Sequence, residues 1–99
     1  MSGSENPLRQ RTGIEARPIP QGALLVDMNT GRCFRLNRVG AEIWTMLESP
    51  LSANEVCARI AAQYGKPVGQ IEIEVHALFE LLIREQLLET AAEASPRVP

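Results

Sequence analysis

The chain is poor in the residues from which active sites are usually assembled. It holds a single histidine, His76, and two cysteines, Cys33 and Cys57, far apart in sequence. Neither a metal-ligand spacing nor a thiol with a neighbouring base is written into that pattern. No glycine-rich phosphate loop and no carboxylate pair in a pocket context stands out. The expectation is a protein that is not an enzyme and takes no cofactor and no metal. Aromatic residues are equally scarce: Trp44, Tyr64, Phe34 and Phe79 are the whole set. The core must therefore come from Leu, Ile, Val and Ala. No apolar run approaches the ~20 residues that span a bilayer. The N-terminus lacks a basic segment followed by an apolar one, so it does not read as a signal peptide. A cytoplasmic protein without membrane contact is expected.

What is present fits one small soluble domain. The 99 residues are 44% hydrophobic and 22% charged, which excludes wholesale disorder. Residues 1–12 are polar and read as a flexible lead-in, residues 91–99 as a flexible tail, and residues 13–90 as the folded unit. Residues 14–19 alternate apolar and polar, but Pro18 and Pro20 confine any strand there to a sheet edge. Residues 22–28 have strand propensity, and Asn29-Thr30-Gly31 offers a tight turn with Gly31 supplying a positive φ. Residues 32–36 then read as the returning strand, with Phe34 and Leu36 on one face and Cys33 and Arg35 on the other.

Asn37 is a favoured N-cap, and Val39, Ile43, Trp44 and Leu47 follow at helical spacing, predicting a helix over residues 38–48. Ser52 and Glu55 form a capping box that starts a second helix, which Tyr64-Gly65 ends before Pro67. A third helix should run from residues 68–70 to about residue 85. Its buried stripe is Ile71, Val75, Leu78 and Leu82, with Phe79 and Ile83 on one shoulder and Leu81 on the other. The fold class is α+β: an N-terminal three-stranded antiparallel sheet, or a hairpin, followed by three helices, similar to a winged helix-turn-helix.

That architecture invites a DNA-binding reading, with a winged-helix transcriptional regulator as the alternative function. Charge weighs against it. The third helix carries Glu72, Glu74, Glu80 and Glu85 against Arg84 alone, and carboxylates are repelled by phosphates. The net charge of −2 leaves no footprint for nucleic acid. Arg9, Arg11, Arg17, Arg32, Arg35 and Arg38 cluster in the N-terminal third, as a solvated face or as a surface for an acidic peptide.

The stretch from Leu25 to Trp44 resembles the PqqD-like family. The shared features are Thr30-Gly31-Arg32, Phe34, Leu36-Asn37 and Gly40-Ala41-Glu42-Ile43-Trp44. Further on, Tyr64-Gly65, then Val75, Leu78, Phe79, Leu82 and Leu87-Leu88 extend the likeness over residues 23–89. Two positions depart from the pattern: Cys33 stands where many relatives have an aromatic residue, and Gln86 where many have glycine. The first bears on ligand preference and the second on the end of the third helix. The resemblance implies a non-catalytic leader-peptide recognition element. The leader of a ribosomally made precursor would add as an extra strand and be delivered to a leader peptidase or a radical SAM enzyme. The turn and first helix look closer to the stand-alone proteins of lasso-type clusters. The implied site is the strand of Arg32, Cys33, Phe34, Arg35 and Leu36, set against Glu72, Val75, Phe79 and Ile83 of the third helix. A monomer, or a weak homodimer through the same strand edge, is expected.

Overall fold

Asp27 organises the central hairpin. Its carboxylate accepts a hydrogen bond from the Asn29 N–H at 2.9 Å, and its carbonyl accepts from the Gly31 N–H at 2.7 Å. Gly31 takes a φ of 79° there, a left-handed value that costs glycine little. The computed structural model describes residues 7–90. Its elements in chain order are β1 (Leu8–Gln10), β2 (Ile14–Ile19), β3 (Gly22–Asp27), β4 (Cys33–Asn37), α1 (Arg38–Met46), α2 (Ala53–Tyr64), α3 (Val68–Arg84) and β5 (Leu88–Thr90).

β2, β3 and β4 form an antiparallel sheet in that order, with Ile19 paired to Gly22 across one turn and Val26 to Cys33 near the other. Residues 14–19 thus do form a strand, and Pro18 sits on the sheet edge where its missing N–H does least harm. Ala23, Leu25 and Leu36 point inward and are buried. Gly22 is needed for contact rather than for φ, because a Cβ on it would lie 1.9 Å from the Leu36 carbonyl oxygen.

Asn37 ends β4 and starts α1 without an intervening loop, its side chain accepting the Gly40 N–H at 2.8 Å. The Ser52–Glu55 capping box is present with both bonds, 2.9 and 3.1 Å. Gly65 closes α2 at a φ of 64°. α1 packs on β3 and β4, and α2 on α3. Between these layers lie the fully buried Leu25, Ile43, Leu47, Val56, Ile60, Val75, Leu82 and Leu87. Trp44 is buried with them.

One boundary needs correction. Leu8–Gln10, read from sequence as part of a flexible lead-in over residues 1–12, form a strand paired antiparallel with β5. Leu8 is only 8% exposed and exchanges backbone hydrogen bonds with Leu51 at 2.8 and 2.9 Å. Gln10 donates from its backbone to the Leu47 carbonyl and from its side chain to the Trp44 carbonyl. The first bond satisfies an acceptor that the C-terminus of α1 leaves open, and the second adds to the Trp44 carbonyl, which also accepts from the Leu47 N–H. Residues 1–6 and the tail over residues 91–99 lie outside the described residues.

Candidate binding cleft

β4 is the outer strand of its sheet, and its exposed side turns toward α3. The Asp27 N–H donates to the Arg32 carbonyl at 2.8 Å. Alternation along an antiparallel ladder then directs the N–H and C=O of Phe34 and Leu36 to β3 and those of Cys33 and Arg35 to the open edge. Among the described residues no backbone group bonds to that edge.

Between the edge and α3 runs a cleft of about 420 Å³. Arg35, Leu36 and Asn37 line it from β4, and Val39, Gly40 and Ile43 from α1. Glu74, Ala77, Leu78 and Leu81 line it from α3. The middle is apolar, and Glu74 is the charged residue on the helix wall, while Arg35 borders the cleft along the strand edge and alternates to the sheet face opposite Leu36. Gly40 lets α1 close in, since a Cβ there would sit 3.3 Å from that of Leu36. Where β4 begins and α3 ends, Arg32 pairs with Glu85 and lies 5.0 Å from the Phe34 ring centroid. This cation–π and ion-pair contact ties strand to helix at one end of the cleft.

Of the residues expected at the site, Arg35 and Leu36 line the cleft directly. Arg32 and Phe34 form the tie at its end, and Cys33 is exposed with a free thiol on the outer sheet face. The helix residues divide differently. Val75 and Phe79, at 0% and 4% exposure, belong to the core. Ile83 lies on the other flank of α3, beside Arg11, Gln86, Leu88 and Glu89. Glu72 faces α2, where its charge adds to burial in pushing the Cys57 thiol up. The flank that meets β4 is instead that of Ala77, Leu78 and Leu81. On a helical wheel Leu81 falls on the shoulder opposite Phe79 and Ile83, so the sequence contained the flank but not the choice between flanks.

Among the described residues no group of three His, Cys, Asp or Glu is placed to hold a metal ion, and no helix is long and apolar enough to cross a membrane.

These features define an α+β domain similar to a winged helix, with an open strand edge set against a helix. The chain belongs to the PqqD family: the family described as coenzyme PQQ synthesis protein D matches residues 22–88, more than half of its length. The structure of TbiB1 in complex with the TbiA(beta) leader peptide is similar at a TM-score of 0.71 and 26% identity, over 82% of this chain and 94% of that one. Lasso peptide synthetase B1 complexed with the leader peptide gives a TM-score of 0.69 at 23% identity, over 83% and 96%. The PqqD truncation of Methylobacterium extorquens PqqCD, a stand-alone recognition element of ribosomally synthesised and modified peptides, gives 0.72 at 18% identity, over 89% and 93%. The last two likenesses bear on the fold alone. No curated protein sequence matches the chain at a significant level.

Proposed function

We propose that this protein is a non-catalytic binding domain. It captures the leader of a precursor peptide as a fourth strand on β4 and delivers it to a leader-cleaving or modifying enzyme. The observation that carries this reading is the open β4 edge facing an apolar cleft against α3. Unpaired N–H and C=O groups accept an extended segment whatever its sequence, and the cleft takes alternate side chains. Leu36, Val39, Ile43, Leu78 and Leu81 supply apolar surface for them. Backbone pairing over a few residues with two apolar anchors supports affinity of roughly micromolar order. At that strength a domain associated with an enzyme raises the local substrate concentration severalfold or more without chemistry of its own. Family membership and the TbiB1 likeness support the same reading. The exposed Glu72, Glu74 and Glu80 on α3 weigh against a DNA duplex as the alternative ligand.

The test is an amide NMR titration with the leader encoded nearest to this gene. Shifts confined to residues 33–37 and 74–81 are expected. An unperturbed spectrum at high micromolar leader overturns the proposal. A pairing of two copies through β4 would compete for the same edge and show as a concentration-dependent shift in the free protein.

A further inference from the structure

On β4, Phe34 and Leu36 point to the core side, while Arg35 points to the outer face. A strand added to this edge inherits the pleat. Its residues opposite Phe34 and Leu36 turn toward the cleft, and its residue opposite Arg35 turns to the outer face. Directly opposed residues bring their Cβ atoms to about 4.5–5.5 Å, close enough for charge to matter.

Among the described residues Arg35 has no counter-ion. There Arg9 pairs with Glu89, Arg17 with Glu15, and Arg32 and Arg84 with Glu85, whereas Arg35, like Arg11, Arg38 and Arg59, is in no ion pair. Its partner on β3 is Leu24, so that side offers no acceptor. Across the cleft, Glu74 likewise forms no ion pair among the described residues, with Arg35 or with any other group. The sheet edge thus presents an unneutralised cation on its outer face and an unneutralised anion within the cleft.

We propose that Arg35 sets the sequence and register of the bound segment: an acidic residue faces Arg35, flanked on each side by an apolar residue that enters the cleft. This rests on the strand addition proposed above. A slip of one residue would turn the acidic side chain into the apolar cleft beside Glu74 and expose both apolar neighbours, so one charge fixes the register. Of the arginines in the N-terminal third, Arg35 is the one that lies within β4.

The test uses labelled nine-residue probes, Gly-Ser-Thr-Val-Xaa-Leu-Thr-Ser-Gly, with Asp, Ser or Lys at Xaa, read by fluorescence polarisation. The wild-type protein should bind in the order Asp, Ser, Lys, with about three- to tenfold between the extremes. Arg35→Glu should invert that order. Arg17→Glu, which reverses a charge two strands away on the same sheet face, should preserve it. Equal affinity for the Asp and Lys probes, or an unchanged order in Arg35→Glu, overturns the inference while leaving strand addition intact. Absence of saturable binding by all three probes overturns it too, and a silent leader in the NMR titration overturns the underlying reading itself.

Discussion

Gln86 is the position where a single substitution should most clearly improve this protein. It follows the end of α3 with a φ of 63°, in the left-handed region. Its N–H donates to the Ile83 carbonyl at 3.0 Å, and the next N–H, of Leu87, donates to Leu82 at 2.8 Å. That is the Schellman pair of bonds, and the apolar contact that accompanies it is present as the fully buried Leu82 and Leu87. Glycine is the usual residue at such a site, because an L side chain there costs about 1–2 kcal/mol. The greater freedom of glycine in the unfolded chain returns about 0.4–1 kcal/mol of that gain. The Gln86 side chain makes no hydrogen bond among the described residues; the Arg11 guanidinium donates to the backbone carbonyl, which glycine retains. Gln86→Gly should therefore stabilise by roughly 0.5–1 kcal/mol, the difference of those two effects. With a urea m-value of about 1 kcal/mol/M for a small domain, the midpoint should rise by about 0.5–1 M. Gln86→Ala keeps the Cβ and should show no such rise. An unchanged or lower midpoint for Gln86→Gly would refute the claim that backbone strain is held at this cap.

Other substitutions test the remaining geometry. Gly22→Ala places a Cβ against the Leu36 carbonyl oxygen and must displace β4, so urea denaturation should show a loss of about 2 kcal/mol or more. A wild-type midpoint would contradict that close approach. Phe79→Ala should cost about 3–5 kcal/mol of stability as a core cavity. Leu81→Lys should leave the melting temperature nearly unchanged and weaken leader binding about tenfold or more, since only it lies in the cleft. Equal effects of these two on stability would merge core and site again. Asp27 has its carboxyl held below the ordinary 3.8, chiefly by the Asn29 N–H. A lowered folded value means its stabilisation is complete above 3.8 and is lost as pH falls through that lower value. The midpoint difference between wild type and Asp27→Asn should therefore be constant near neutral pH and shrink below pH 3.8. A difference that persists unchanged at pH 2 would exclude ionised Asp27 as its source.

The elements that declared themselves in the sequence are those whose ends are specified by local chemistry. Ser52 with Glu55, Asn37, Gly65 and the Asn29-Thr30-Gly31 turn each satisfy backbone groups within a few residues, so spacing alone reveals them. β1 has no such signal. It is three residues long with one apolar side chain, and its bonds run to Leu47, Leu51 and β5, all distant in sequence. Pairing that depends wholly on distant partners leaves no periodicity to read over three residues.

The cleft was half legible for a related reason. Its strand wall follows from the alternation of residues 33–37, and the family resemblance pointed to the same strand. Its helix wall does not follow, because α3 is apolar on both shoulders of a stripe centred on Val75 and Leu82. Leu81 on one shoulder, and Phe79 with Ile83 on the other, are equivalent candidates until another element chooses, and Leu78, read as part of the stripe, is only partly buried on the Leu81 side. The element that chooses is α1. Asn37 serves both as the last residue of β4 and as the cap of α1, so the helix leaves the strand with no loop to absorb a change of direction. Gly40, lacking a Cβ, then allows that first turn to lie against Leu36. This carries Val39 and Ile43 to the foot of the cleft, where Leu78 and Leu81 meet them. Phe79 turns into the core, and Ile83 faces Arg11 beside β5. A side chain at position 40 should therefore act on the binding flank as well as on α1: Gly40→Val should weaken leader binding more than its loss of stability accounts for, read by comparing affinity at temperatures where the variant stays folded.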